Sequence, residues 1–229
     1  MTTICIRQPG YLPNIGFFKK IQSSDVFVYL DDAQYAIRSW DNRNKIRNAN
    51  KISWLTVPVI HPYHKKLDHI EISYTKNWVT NHVNLIETSY SHAPYFNNYW
   101  NEIKSILEKK FKRLIDLNIA LIEQCIIFLG IDTRRERSSK LSVNQTGSKR
   151  LLEICEKLGA TTYRSGIMGK EYLDDNIFKE KNINVIYENF QHPTYNQYEK
   201  EFLSNMSIVD LLFNEGPNSK KIILESKDF

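Results

Sequence analysis

The 229-residue chain has few of the residues that staple or punctuate unusual folds: three cysteines, eight glycines and seven prolines. The cysteines, Cys5, Cys125 and Cys155, are odd in number, lie in apolar periodic segments and form no CxxC pair. That excludes a disulfide framework and a cysteine zinc site, and implies buried thiols in a reducing, cytoplasmic setting. The scarcity of glycine and the lack of a repeat period exclude collagen and solenoids. No run of 18 apolar residues is present, so no helix spans a bilayer. The start, Met1 to Gln8, lacks a signal-peptide core and reads as a short strand. GxGxxG, Walker, GxSxG and HExxH motifs are all missing. Nicotinamide enzymes, P-loop ATPases, α/β-hydrolases and zinc proteases lose their usual warrant.

What is present is a core former. Apolar residues make up 41%, with 13 Tyr, 11 Phe and 4 Trp. A chain this long buries roughly 70% of its unfolded surface. Lys and Arg outnumber Asp and Glu by 31 to 26, a net +5. This mild excess suits an anionic ligand such as a nucleotide or phosphate. No nucleic-acid-reading motif accompanies it.

The first 32 residues read strand, loop, helix, strand. Ile4-Cys5-Ile6 is apolar; Pro9-Gly10-Tyr11-Leu12-Pro13-Asn14 is loop chemistry; Gly16–Ser23 is amphipathic; Val26–Leu30 is a continuous apolar run ending at Asp31-Asp32. That is a βαβ unit. Residues 33 to 51 are polar and cationic. Trp54–Val59 is expected as a third strand, Ile70–Tyr74 as a short one, and residues 76–129 as helical, with Asn118 as a cap and Gly130 as a stop. Ile131–Ser139, Thr161–Ser165 and Asn184–Tyr187 read as further strands. Ser148–Leu158 and Asn205–Phe213 read as helices. Strand–helix alternation predicts an α/β, Rossmann-like three-layer parallel sheet with an inserted helical lobe at 76–129, in one compact domain over 1–229.

Ligands of open parallel sheets bind beyond the carboxyl ends of the strands. The loops at Gln8–Tyr11, Asp31–Tyr35 and Ser165-Gly166 should therefore meet at one crevice. Asp31 and Asp32 alternate in direction, so only one can face it, as a general base, a metal ligand or a partner for a substrate amine or sugar hydroxyl; the alternative is that these acids cap a helix or loop. Neither has a second acid at ligand spacing, so no metal site is expected. Arg43 and Asn44, after Trp40, supply a guanidinium fork for phosphate and an aromatic neighbour for a base or sugar. His82, one turn after Trp78, is either a base or a core residue. His192-Pro193-x-Tyr195-x-Gln197 is a polar aromatic loop. His61, His64, His69 and His92 are scattered.

Three of these segments, Gln8-Pro9-Gly10-Tyr11-Leu12-Pro13-Asn14-Ile15-Gly16-Phe17-Phe18, Asp31-Asp32-Ala33-Gln34-Tyr35 and Asn42-Arg43-Asn44-Lys45-Ile46, resemble the WbqC-like family. Trp54–Val59, Tyr163-Arg164-Ser165-Gly166, His192–Gln197, Ser207–Asn214 and Gly216 extend the resemblance in order along nearly the whole chain. Asn14 stands where that family often has tryptophan, and Arg164 where it has an apolar residue. The resemblance implies a role in O-antigen or other surface-polysaccharide (lipopolysaccharide) biosynthesis. It further implies a transferase that places an acyl or aminoacyl group, glycyl among the candidates, on the amine of a nucleotide-linked amino sugar. The sequence leaves the donor open among coenzyme A, a carrier-protein thioester and an ATP-activated acid.

On the transferase reading Asp32, Asp31 or His192 is the base. Arg43 holds the diphosphate, and amides near Ser165, Gly166 and Gln34 hold the oxyanion. Tyr11 and Tyr35 pack on sugar or base, and Gln8, Asn44, Tyr195 and Gln197 complete the binding set. Two alternatives stand beside it. The strand, proline loop and helix at Asn14-Ile15-Gly16-Phe17 resembles adenylate-forming nucleotidyltransferases, which implies an ATP·Mg²⁺-dependent ligase; the two histidines of that family's His-x-Gly-His are replaced here by Asn14 and Phe17. The other is a non-catalytic sugar-binding partner. A homodimer is compatible with all three.

Overall fold

A computed structural model describes residues 1–199 and 201–227. Five parallel strands form the central sheet in the order β7-β2-β1-β8-β9: β1 (Thr3–Arg7), β2 (Val26–Tyr29), β7 (Arg134–Arg137), β8 (Thr162–Gly166) and β9 (Asn184–Glu188). Alternation along the strands makes two apolar faces. Cys5, Phe27 and Tyr29 pack on one side with α1 (Ile15–Gln22), α4 (Leu114–Leu129), α7 (Ile208–Glu215) and α8 (Ser219–Glu225). Ile4, Val26, Val28 and Tyr163 point the other way, toward α5 (Gly147–Lys157) and α6 (Asp175–Glu180). The result is the Rossmann-like three-layer α/β arrangement expected from the pattern.

The middle of the chain departs from expectation in detail. Trp54–Val59 is not a strand of the main sheet. Its first half belongs to β4 (Lys51–Thr56), which pairs antiparallel with β3 (Arg43–Asn48) in a separate hairpin. Pro58 interrupts the run, and β5 (Val59–Ile60) pairs with β6 (Glu71–Ile72). β3 hides in the polar stretch because its buried positions include Asn44 and Arg47, whose amide and two terminal guanidinium nitrogens are hydrogen-bonded. The helical stretch divides into α2 (Trp78–Tyr90), α3 (Phe96–Glu108) and α4. α4 also connects β2 to β7, so it is a layer of the fold as well as part of a lobe. Its stop is Gly130 at φ 56°, in the left-handed region glycine favours. Asn118 is not a cap. It lies inside α4, fully buried, and its Nδ2 donates to the Pro9 carbonyl at 2.9 Å and the Asp41 carbonyl at 2.7 Å.

The connections from β1 and into β8 run to opposite sides of these adjacent strands. This is the switch point at which open α/β sheets leave a crevice.

Candidate functional site

A cavity of about 1120 Å³ opens at that switch point. β1 delivers Arg7 and Gln8, β2 leads into Asp32 and Gln34, β8 ends in Arg164, Ser165 and Gly166, and β9 ends in Glu188. Gly10 permits the loop after β1 to touch its neighbour. A Cβ there would lie 2.7 Å from the Trp40 carbonyl oxygen, which accepts a hydrogen bond from Tyr11 N–H. Asn44 Nδ2 clamps the same loop through the Tyr11 and Leu12 carbonyls at 3.2 and 2.6 Å. With Asn118 it fixes residues 9–12, so the loop is a rigid wall.

Six cationic side chains line the cavity (Arg7, Lys20, Lys65, Lys66, Arg150, Arg164) against three carboxylates (Asp32, Asp41, Glu188). At its floor Glu188, 5% exposed, accepts from Lys20 Nζ with one oxygen and from Arg164 Nε with the other. Arg7 approaches the same place. A Cβ on Gly166 would lie 3.9 Å from Arg7 Nη1 and 4.0 Å from Lys20 Nζ, so both cations stand close over this stretch of backbone. Three cations around one carboxylate leave net positive charge in a partly dry crevice. That is a phosphate- or carboxylate-binding arrangement. The first turn of α5, at Thr146 and Gly147, faces the same space and adds its amide dipoles.

The wall carboxylates differ. Asp32 accepts from the Ser138 hydroxyl and Arg150 Nη2 through Oδ1. Asp41 is 4% exposed; burial pushes its carboxyl above its ordinary pKa, against the pull of the Ala36 amide, Ser39 and the Arg7 charge. A buried carboxyl on a cavity wall, with its pKa raised by burial, is a candidate for a general base. No group of three or more metal-ligating side chains occurs among the described residues.

The structure gathers Gln8, Asp32, Gln34, Asn44, Ser165 and Gly166 at the cavity. It places the other candidates elsewhere. Asp31 is fully buried, held by Arg137, the Ser139 amide (2.9 Å) and the Ser138 and Ser139 hydroxyls. Burial pushes it up, but those hydrogen bonds and the Arg137 charge outweigh burial and leave it below its ordinary value. It caps the turn after β7 and takes no part in the crevice. Tyr11 and Tyr35 point into the core, Tyr11 with its hydroxyl 3.0 Å from His82 Nδ1. Arg43 lies outside the cavity, its guanidinium bonded to the Arg38 carbonyl. His192 is half-buried between Phe190, Tyr195 and Phe202, its Nδ1 2.9 Å from the Pro193 oxygen. Tyr195 and Gln197 serve Asp210. The three thiols are free and buried, and burial pushes each up to about 12, which makes none a nucleophile.

The sequence pattern does not single out Lys20, Asp41, Arg150 or Glu188, and it marks Arg164 only as a departure from the family pattern at a pocket wall. Lys20 is a cation on a short amphipathic helix, where a solvent-facing lysine is the ordinary case, and Glu188 closes a strand like any other. The position of Glu188 at a parallel strand's carboxyl end was the available signal.

A profile of the WbqC-like protein family matches residues 8–222. This chain belongs to the WbqC-like family. The matched span includes every cavity residue named above except Arg7. Among relatives of this WbqC-like chain is the uncharacterized protein Rv1507c of Mycobacterium tuberculosis (strain ATCC 25618 / H37Rv). It is 34% identical over 222 residues, covering 94% of this chain and 95% of the relative. No solved structure matches the chain. No helix is long and apolar enough to cross a membrane among the described residues.

Proposed function

We propose that this WbqC-like chain is a transferase that acylates or aminoacylates the amine of a nucleotide-linked amino sugar for a surface polysaccharide. The observation that carries it is the cavity at the switch point, sized for a nucleotide sugar and lined by twice as many cations as carboxylates. Arg7, Lys20 and Arg164 hold the diphosphate over Gly166. Asp32, steadied by Arg150, orients sugar hydroxyls. Asp41 replaces Asp31 and His192 as the base. The amine nitrogen attacks the carbonyl carbon of the activated donor, a coenzyme A or carrier-protein thioester. The carbon–sulfur bond breaks, and the amine's proton passes through Asp41 to the departing thiolate. The Gln34 amide, at the cavity, is the donor for the oxyanion.

Thermal unfolding with added ligands tests this. A ligand at 100 times its dissociation constant stabilises by about 2.7 kcal/mol, or roughly 5–10 °C for a domain of this size. A thymidine-diphosphate amino sugar should produce that shift, and with a coenzyme A thioester it should be acylated. Asp41→Asn should keep the shift and lose turnover. No shift with any nucleotide sugar, or full turnover by Asp41→Asn, overturns the assignment. A shift with ATP·Mg²⁺ alone replaces it with the ligase.

A further inference from the structure

With Tyr11 and Tyr35 buried, the exposed tryptophan and tyrosine rings that line the cavity are Trp40 and Tyr172, and Trp40 is the one paired with a second exposed indole. Trp40 lines the cavity and is 48% exposed; Trp54, on β4, is 44% exposed. Their ring centroids are 5.6 Å apart at 31°. The Arg43 guanidinium sits 4.6 Å from the Trp54 centroid, and Lys45 Nζ lies 5.4 and 5.3 Å from the two rings. Arg43 spends its fork on a backbone carbonyl, and neither cation pairs with a carboxylate among the described residues. Leaving two indoles half in water forgoes burial that the chain gives its other two tryptophans, Trp78 and Trp100, each 4% exposed. Like charges gathered over ring faces with no acid repel one another. A flat unsaturated ring joined to an anion relieves both costs, by stacking and by neutralising charge. Trp40 joins the platform to the cavity, which it lines, while Trp54, Arg43 and Lys45 lie just beyond that lining.

We propose that Trp40 and Trp54, with Arg43 and Lys45, form the nucleoside subsite of the ligand whose diphosphate lies over Gly166. The assignment rests on the nucleotide-sugar reading above and names the part of the ligand that the cavity floor does not hold. Stacking reads any base by its face, so the subsite selects a nucleoside over bare phosphate without choosing among bases.

The test titrates the full chain with inorganic pyrophosphate, thymidine diphosphate and uridine diphosphate, following tryptophan fluorescence and calorimetric affinity. With Trp78 and Trp100 buried, quenching reports on the exposed pair. The expected result is quenching by both nucleotides and affinity at least 10-fold above pyrophosphate. Trp40→Ala should bring nucleotide affinity down to that of pyrophosphate while leaving pyrophosphate binding unchanged, and Trp40→Phe should restore most of it. Trp54→Ala gives the same comparison should Trp40→Ala fail to fold, and wild-type quenching needs no variant. Equal affinity for pyrophosphate and nucleotides, or nucleotide affinity untouched in both alanine variants, overturns the subsite and leaves the phosphate cavity standing. Binding of none of the three overturns the nucleotide reading and the subsite together. A short single-stranded oligonucleotide binding far more tightly than the mononucleotides also overturns it, in favour of a nucleic-acid surface.

Discussion

Two acids in this fold are each surrounded by donors, and they teach opposite lessons. Asp210, on α7, is fully buried and accepts from the Tyr90 hydroxyl (2.7 Å), the Tyr195 hydroxyl (2.7 Å) and Gln197 Nε2 (2.8 Å), with Arg47 bonded to the same glutamine. Its donors close around it inside the core. Glu188 also sits at the focus of donors, Lys20 and Arg164, but its cluster faces an open cavity and carries excess positive charge. A closed network organises the core. An open, unbalanced one is ready for a ligand. The contrast separates structural from functional polarity more reliably than residue type does.

The largest effect expected is at the closed network. Asp210→Ala removes the acceptor of two buried hydroxyl protons and one amide proton, although Tyr90 still accepts from the Arg47 amide and Gln197 still donates to the Leu203 carbonyl. It should cost about 3–5 kcal/mol, lowering the melting temperature by more than about 6 °C in differential scanning calorimetry. A loss under 1 kcal/mol would make the network dispensable and blur the contrast. Next is His82, 6% exposed, whose pKa burial pushes down to about 4. The fold favours the neutral ring. That stability is complete above the unfolded value near 6.5 and is lost as pH falls from there toward 4. The loss is roughly 3 kcal/mol in all. Stability measured against urea should fall over that interval, and His82→Leu should flatten this part of the slope whatever its own stability. A slope unchanged in the variant would remove His82 as the cause.

At the open cluster the signs reverse: binding should suffer and stability should not. Arg7, an exposed side chain at the cavity, is expected to supply a charge-assisted bond to the ligand, so Arg7→Ala should weaken pyrophosphate binding by about 10-fold or more. Its melting temperature should stay within about 2 °C of wild type. The smallest and sharpest change is Gly166→Ala. The added methyl meets only ordinary contacts near 4 Å, so unfolding should be unaffected, while the methyl intrudes where the diphosphate sits and should reduce its affinity several-fold in calorimetry. Undiminished affinity would move the diphosphate away from β8.

The same contrast explains what the sequence could convey. The βαβ opening, the later strands and the crevice at the carboxyl ends were legible because apolar periodicity and strand-end geometry are local and follow general rules. Asp32, Gln34, Ser165 and Gly166 came from that reasoning. The His192–Gln197 loop was misread because a polar aromatic run looks the same whether it faces a ligand or Asp210, and only the partner 13 to 15 residues on decides which. Arg43 was drawn to phosphate by its fork, yet the β3–β4 hairpin sets it over Trp54. Asp41 was invisible because its burial depends on Asn118, 77 residues away, holding its carbonyl.

The most direct measurement is a crystal structure of the chain soaked with a thymidine-diphosphate amino sugar. The account predicts diphosphate oxygens within hydrogen-bond distance of Arg7, Lys20 and Arg164 over Gly166, with the sugar amine facing Asp41. A ligand bound with its phosphates away from those three cations would contradict it.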